Sequence, residues 1–550
     1  MSSPASHLRA PLLWLLLPLM AGLAAAKLWP PPAFGLWPFL LGAGLLALGA
    51  GGFALKNVGP AGLGWSLCLS LAGGLAGFVL LHTVQPQLHQ LETRPPREVT
   101  VTLEVLQVFP TAPSARSLNG LGRILVTTGE DRELTGGRIY FSAIRKVSVP
   151  PQRSGRYTVR GVIEPLSSDP AEADFNDYLE NLGIHRKLTR AQILRETEPP
   201  RWFARFCSRA RSHLEEILKH GLQRHPTTVA LYLGMLLGEK AVLSTEQQDA
   251  FTRSGTFHIF CIAGLHIGVI AVALDSLLRL VRLPRRSAVV LSLALLWLYV
   301  QITGANLPAS RAFLMIAFWQ AARVLRLPGN GLAALAVSAL VMLLLDPLQL
   351  FGTGFQMSYT VVTALVVMGV PLAEKWVGAW RPFAFLPNAD WRWYHHAVDW
   401  AGRWLLRSGA ACWVTFLASA PSCIANFHVF SPGAVLANLV IIPLALLAII
   451  AGFLSLLVGL PGLLSLSALF NSAAAVTIIV MEWLVQHGMP LPGVYFAARF
   501  TSAWIAPVFL ALMTGVMLGG AAAGWQRRYG GYWPPLGVLL LLVIFGVKFG

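Results

Sequence analysis

Long apolar runs dominate the chain, and one polar stretch interrupts them. Three runs come first, at about residues 8–28, 34–55 and 61–82. Pro30-Pro31-Pro32 separates the first two, and Lys56-Asn57 with Gly59-Pro60 separates the second from the third. Each approaches the roughly 20 residues that a helix needs to span a bilayer. Arg9 precedes the apolar stretch Pro11–Ala26, and further spans follow at once. The first run is therefore read as a retained span and not as a cleaved signal.

The pattern changes from Arg94 to about Pro200. Val99-Thr100-Val101-Thr102-Leu103-Glu104-Val105 alternates with period two, the signature of a half-buried strand. Arg123–Thr128, Arg138–Ile144, Tyr157–Ile163 and His185–Ile193 read the same way, with Gly and Pro between most of them. Five short strands in so few residues suit a small closed barrel of OB type. Phe175–Leu182 reads as a short helix before the last strand.

Arg201, Arg205 and Arg209 then recur every four residues, while Trp202, Phe203, Phe206, Ala210 and Leu214 mark another face. This predicts a basic amphipathic helix lying on anionic headgroups, with guidance of nucleic acid as the alternative. From about 226 the chain is again apolar. Spans are expected near 255–280, 287–304, 309–326, 331–346, 348–370, 404–426, 431–458, 464–486, 500–522 and 533–548. Residues 371–403, with Trp391-Arg392-Trp393-Tyr394-His395-His396, read as an interfacial linker. The fold class is mainly α: a polytopic transmembrane helical bundle with an inserted OB-like β-barrel. Its parts are residues 1–93 (N-terminal helices), 94–200 (barrel), 201–225 (amphipathic helix) and 226–550 (main transmembrane domain).

Composition agrees. The chain is 55% hydrophobic and 12% charged, against about 25% charged in soluble domains. Its net charge of +17 first reports topology and attraction to anionic lipid, and it also suits a polyanionic partner. Arg279, Arg282, Arg285 and Arg286 cluster in one loop; Arg323 and Arg326 end another span, and Arg527 and Arg528 lie further on. These loops are expected in the cytoplasm, which places the barrel outside the inner membrane. Five cysteines without a CxxC suggest neither a zinc site nor a disulfide framework.

Several chemistries have no motif. GxxxxGK, HExxH and GxSxG are absent, and His395-His396-Ala397-Val398-Asp399 lacks the HxHxDH spacing of metallo-β-lactamase-like hydrolases. No catalytic site, metal or cofactor is expected. The informative positions are instead polar residues inside apolar runs, because such groups are costly at membrane depth and mark cavities or pathways. Ser254, Gly255, His258, Gly264 and His266 head one run. On an unbroken helix the two histidines would project about 80° apart. Either is also explained as a hydrogen-bonded buried ring. Arg311 begins another run, as a path-lining cation or a snorkelling anchor. Gln356, Ser358 and Asn438 follow, and interhelical hydrogen bonding is the alternative for Gln356 and Asn438. Pro443 should free backbone carbonyls beyond Asn438, and Asp346-Pro347 should end a helix.

These residues carry a resemblance. The chain resembles the ComEC family of bacterial competence membrane proteins, the channel for DNA uptake. The matching segments, in order, are Asp174-Phe175-Asn176-Asp177-Tyr178-Leu179 with Gly183-Ile184; Leu236-Leu237-Gly238-Glu239 with Leu243-Ser244; Phe251-Thr252-Arg253-Ser254-Gly255; His258 and Gly264-Leu265-His266-Ile267; Pro308-Ala309-Ser310-Arg311-Ala312 with Met315; Asp346-Pro347; Gly354-Phe355-Gln356-Met357-Ser358-Tyr359; and Phe430-Ser431-Pro432 with Asn438 and Pro443. The resemblance covers roughly residues 10 to 520. Ala263 stands where the family has serine.

The resemblance implies an inner-membrane channel component for transforming DNA, taken up as a single strand. Ser254, Gly255, His258, Gly264, His266, Arg311, Gln356, Ser358 and Asn438 would line its path. The barrel would bind DNA through Arg123, Arg138, Tyr140, Arg145, Lys146 and Tyr157, with a structural role as the even alternative. Membrane lipid, a separate cytoplasmic motor and DNA-delivery proteins would be partners, and a homo-oligomer is left open. The metallo-β-lactamase-like domain of longer members has no counterpart in these residues, which leaves two expectations open: a separate nuclease, or a divergent or truncated member. The competing readings are a transporter or channel for a small polar or anionic solute, and a membrane assembly factor.

Overall fold

The computed structural model describes residues 12–31, 35–56, 63–84, 95–109, 117–127, 134–144, 151–166, 173–238, 245–260, 262–327, 329–488, 491–502, 504–525 and 531–549. Three apolar helices open it: α1 (Leu13–Leu28), α2 (Trp37–Lys56) and α3 (Leu63–Val84). α1 and α3 touch backbone to backbone. A Cβ on Gly22 would lie 1.9 Å from the Gly74 carbonyl oxygen, so only glycine fits that crossing.

A closed barrel follows, made of β1 (Arg97–Val108), β2 (Ser117–Thr127), β3 (Arg138–Ile144), β4 (Arg156–Pro165) and β5 (Arg186–Glu198). Its order is β1-β2-β3-β5-β4, with β3 and β5 parallel and the other pairs antiparallel, as in an OB-fold. The period-two reading explains the pairing. Val99, Val101, Leu103 and Val105 all point into the barrel core, and the residues between them do not. α4 (Ala173–Asn181) lies between β4 and β5, and its Leu179 packs with Leu121, Tyr140 and Ile184.

The chain then returns to helices: α5 (Trp202–Lys219), α6 (Pro226–Leu237), α7 (Thr245–Arg253), α8 (Gly264–Leu280), α9 (Arg285–Ile302), α10 (Leu307–Val324) and α11 (Gly331–Leu345). α12 (Thr353–Ala364) and α13 (Val370–Ala379) continue each other through a π-turn at Leu365–Gly369. Trp525 Nε1 donates to the Val367 carbonyl in that turn, at 3.0 Å. α14 (Trp393–Phe427), α15 (Ala434–Gly459), α16 (Leu464–Gly488), α17 (Ile505–Ala523) and α18 (Pro534–Gly546) complete the bundle. A small sheet of β6 (Val429–Phe430), β7 (Phe496–Phe500) and β8 (Val547–Phe549) ties the ends of α14 and α18 to the approaches of α15 and α17. Among the described residues, eight helices are long and apolar enough to cross a membrane.

Three expectations are corrected. The span expected from 255 begins as a helix only at Gly264, because Gly255 (φ +71°) ends the preceding turn and the hydroxyls of Ser254 and Thr256 bond locally. The linker of 371–403 shrinks to 380–392, because α14 starts at Trp393. There His395 Nδ1 accepts the Arg392 N–H at 3.0 Å, and Arg403 pairs with Asp399 one turn away. α5 does not merely lie on a surface. Cys207, Leu214, Ile217 and Leu218 are buried, and Phe203 stacks on Trp297 of α9, while Arg201, Arg205 and Arg209 stay exposed.

The barrel docks on one end of the bundle. Arg138 Nη1 donates to Asp346 Oδ2 and to the Leu182 carbonyl, both at 3.3 Å. Lys27 at the end of α1 donates to Asn181 Oδ1 at 2.9 Å and sits over the Phe351 ring. These contacts put the barrel at the end where α12 begins.

Candidate functional site at the mouth of the bundle

At that end the starts of several helices meet. α7 ends at Arg253, and the chain turns through Ser254 and Gly255. Ser254 Oγ donates to the Phe251 carbonyl at 3.0 Å and shares a 2.7 Å hydrogen bond with Thr256 Oγ1. A Cβ on Gly255 would lie 2.8 Å from Ala434 Cβ, so this turn rests on the start of α15. Phe257–Ile259 forms a single 3-10 turn that presents His258 as an exposed ring. Phe260 stacks on Phe251 with ring centres 3.9 Å apart and fixes the turn from below.

Ala263 is the N-cap of α8, and alanine has no oxygen to cap with. His266 takes over part of that work: its Nδ1 accepts the Ala263 N–H at 3.2 Å. In the neutral ring the proton then sits on Nε2. Nε2 is fully buried. His258 lies within electrostatic reach of His266, so the break in the helix brings together two rings that a continuous helix would separate.

Gly264 faces α10: a Cβ there would lie 3.8 Å from Ala312 Cβ. Next to Ala312 is Arg311, in the first turn of α10 and only 3% exposed. The snorkelling alternative is therefore not what the structure holds. The guanidinium lies against the start of α12, where a Cβ on Gly354 would be 3.1 Å from Nη2. Nε has no partner, and among the described residues no carboxylate pairs with this cation. Tyr359 is its electrostatic neighbour, and the Tyr359 hydroxyl is also buried.

The remaining path residues divide. Asn438, in the first turns of α15, is 9% exposed and its Oδ1 has no partner. Gln356 donates to the Leu350 carbonyl at 3.1 Å and so serves its own segment. It also lines an apolar cavity of about 550 Å³ among α1, α11, α12 and α17, whose lining carries no basic side chain. Ser358 is half-buried on α12.

The barrel set fares differently. Arg123 is exposed. Arg138 is engaged in docking. Tyr140 and Tyr157 are buried at 9% and 5% exposure, so neither ring offers a face to a base. Burial also pushes the Tyr157 phenol above its usual range, while its oxygen accepts the Gln152 N–H. Arg145 and Lys146 lie outside the described residues. Sequence reasoning missed a different basic surface. Arg499 and Lys548 sit opposite each other across β7 and β8, both exposed, and Arg253 lies over the Tyr495 ring. The isolated cations in Phe-Ala-Ala-Arg-Phe and Val-Lys-Phe were the available signal. Among the described residues no group of three or more His, Cys, Asp or Glu could hold a metal.

Crossing helices, a docked OB-type barrel and a floor of buried polar groups define a multi-pass membrane protein with a polar mouth. The family model described as Competence protein matches residues 235–522, more than half of the chain, and the chain belongs to that family. It is 28% identical over 198 residues to ComE operon protein 3 of Bacillus subtilis (strain 168), covering 36% of this chain and 25% of that protein. It is 31% identical over 147 residues to competence protein ComA of Neisseria gonorrhoeae, covering 25% of this chain and 21% of ComA. Uncharacterized protein YcaI of Escherichia coli (strain K12) is 26% identical over 167 residues, 29% of this chain and 22% of YcaI. The matched stretches span a quarter or less of these relatives. No solved structure matches.

Proposed function

We propose that this chain is an inner-membrane channel component for uptake of transforming DNA in natural competence, passing it as a single strand. One observation carries the reading: the segment matched by the competence family encloses the polar mouth, from Ser254 through Arg311 to Asn438. The barrel is docked over that mouth by Arg138 and Asp346. The arginine-rich segments Arg279–Arg286 and Arg323–Arg326 gather at the opposite ends of α8, α9 and α10, which by charge asymmetry is the cytoplasmic side. The barrel then stands outside the membrane and receives or orients DNA. The chain carries no nucleotide-binding motif, so a separate motor drives transport, and separate proteins deliver the strand. No residue acts as a catalyst in this reading.

A second reading rests on the same buried cation, which would also accept a small anion. The two separate in a clean deletion strain. Loss of transformation, with labelled DNA still reaching the outer surface and periplasm, supports the DNA reading. Unchanged transformation with no second copy, together with solute flux in reconstituted liposomes, overturns it.

A further inference from the structure

Arg311 is a cationic side chain held inside the bundle, and among the described residues no carboxylate matches it. A buried guanidinium without a counter-charge is costly, and such groups are normally paired. Among the described residues no carboxylate pairs with it, and its Nε is unbonded. What faces it is a set of donors. The guanidinium lies on Gly354, in the first turn of α12, where the Phe355 and Gln356 N–H groups donate to the Gly352 carbonyl and those of Thr353 and Gly354 precede the helical ladder. The Tyr359 hydroxyl beside it is buried. Gly354 itself is exposed, and a Cβ there would lie 3.1 Å from Nη2, so glycine is what lets the guanidinium pack against the start of α12.

We propose that Arg311, Tyr359 and the start of α12 form an oxyanion subsite for one phosphodiester group of a nucleic-acid strand. This deepens the DNA-conduit reading and rests on it. A lipid headgroup carries the same chemistry. The strand is favoured because the guanidinium is 3% exposed, lies against the start of α12 and does not reach outward. The phosphate then approaches from the exposed Gly354 side, and Arg311 neutralises it without a protein carboxylate having to be displaced.

The test uses the purified full chain in lipid-free detergent. Inorganic phosphate, then a short oligothymidylate, is titrated against thermal stability at constant ionic strength. Both should stabilise the wild type. Arg311→Gln should weaken apparent affinity about tenfold or more, as expected for losing hydrogen bonds to a charged group. Gly354→Ala keeps the charge, presses the guanidinium away from the start of α12 and should weaken the oligonucleotide more than phosphate. Arg311→Lys should restore part of the effect. Stabilisation that is absent, or unchanged in Arg311→Gln and Gly354→Ala, overturns the subsite, as does a response to phosphatidylglycerol nanodiscs alone. An intact phosphate response in a chain whose deletion spares transformation would instead overturn the DNA reading and leave the oxyanion site standing.

Discussion

Two buried polar clusters in the same bundle are built in opposite ways. Around Asn471 every hydrogen-bonding position is filled. Its amide nitrogen donates to the carbonyls of Ile217 and His220, at 2.8 and 2.9 Å. Its oxygen accepts from Tyr232 at 3.1 Å and from Ser455 at 2.6 Å, and Ser455 bonds Ser467. The mouth cluster is the reverse. Arg311 Nε and Asn438 Oδ1 are buried without partners, beside the buried His266 and Tyr359. A closed network holds α5, α6, α15 and α16 in register. An open one spends stability on groups whose partners must come from outside.

The largest test of that contrast is Asn471→Leu. It strands two carbonyls and two hydroxyls, and should destabilise by about 3 kcal/mol or more. Yield of monodisperse protein and its melting temperature in detergent would read this. Arg311→Met should do the opposite to stability, leaving it unchanged or raising it by about 1 kcal/mol, because it removes an unmatched buried charge. The same variant should lose transformation while inserting normally. A variant that melts well below wild type would mean that Arg311 is held by its surroundings after all.

Smaller effects separate the barrel from the bundle. Asp346→Asn weakens the Arg138 contact, whose side chains are 30% and 20% exposed, so about 0.5 kcal/mol is expected. Faster hydrogen exchange in β3 and α4, with the bundle unchanged, would show it. The smallest effect is at Glu98, on the barrel surface. The Arg160 hydrogen bond holds its carboxyl below the usual carboxylate range. A folded value below the unfolded one stabilises at pH above about 4.5 and is lost as pH falls through the folded value. Glu98→Gln should therefore melt slightly lower than wild type at pH 7 and no differently in strong acid.

The barrel was legible because its signal is local. Alternation of Val99, Val101, Leu103 and Val105 settles which face is inside, and Gly and Pro mark the turns. Its binding surface was less legible, since Tyr140 and Tyr157 alternate inward as surely as the valines do, and aromatic identity alone does not say which way a ring points. In the bundle, the polar positions could be picked out one at a time. Their meeting could not, because it depends on which helix ends converge. Arg311 reaches Gly354, forty-three residues along the chain. Gln356, two residues further, turns instead to a carbonyl of its own segment. The break between Gly255 and Gly264 was visible as glycine content, but the stacking of Phe251 on Phe260 that holds it was not.

The three-stranded sheet has a consequence for biogenesis. Val429 pairs with Ala497, and Arg499 with Lys548, so strands that emerge from the ribosome far apart in time share one ladder. β6 and β7 can pair without residues 547–549, whereas Ala498, Arg499 and Phe500 gain their partners only from β8. A partly synthesised chain already inserted in the bilayer therefore carries an unfinished rim. Without β8 one edge of β7 would be unpaired, and an open strand edge is a template for pairing with another chain.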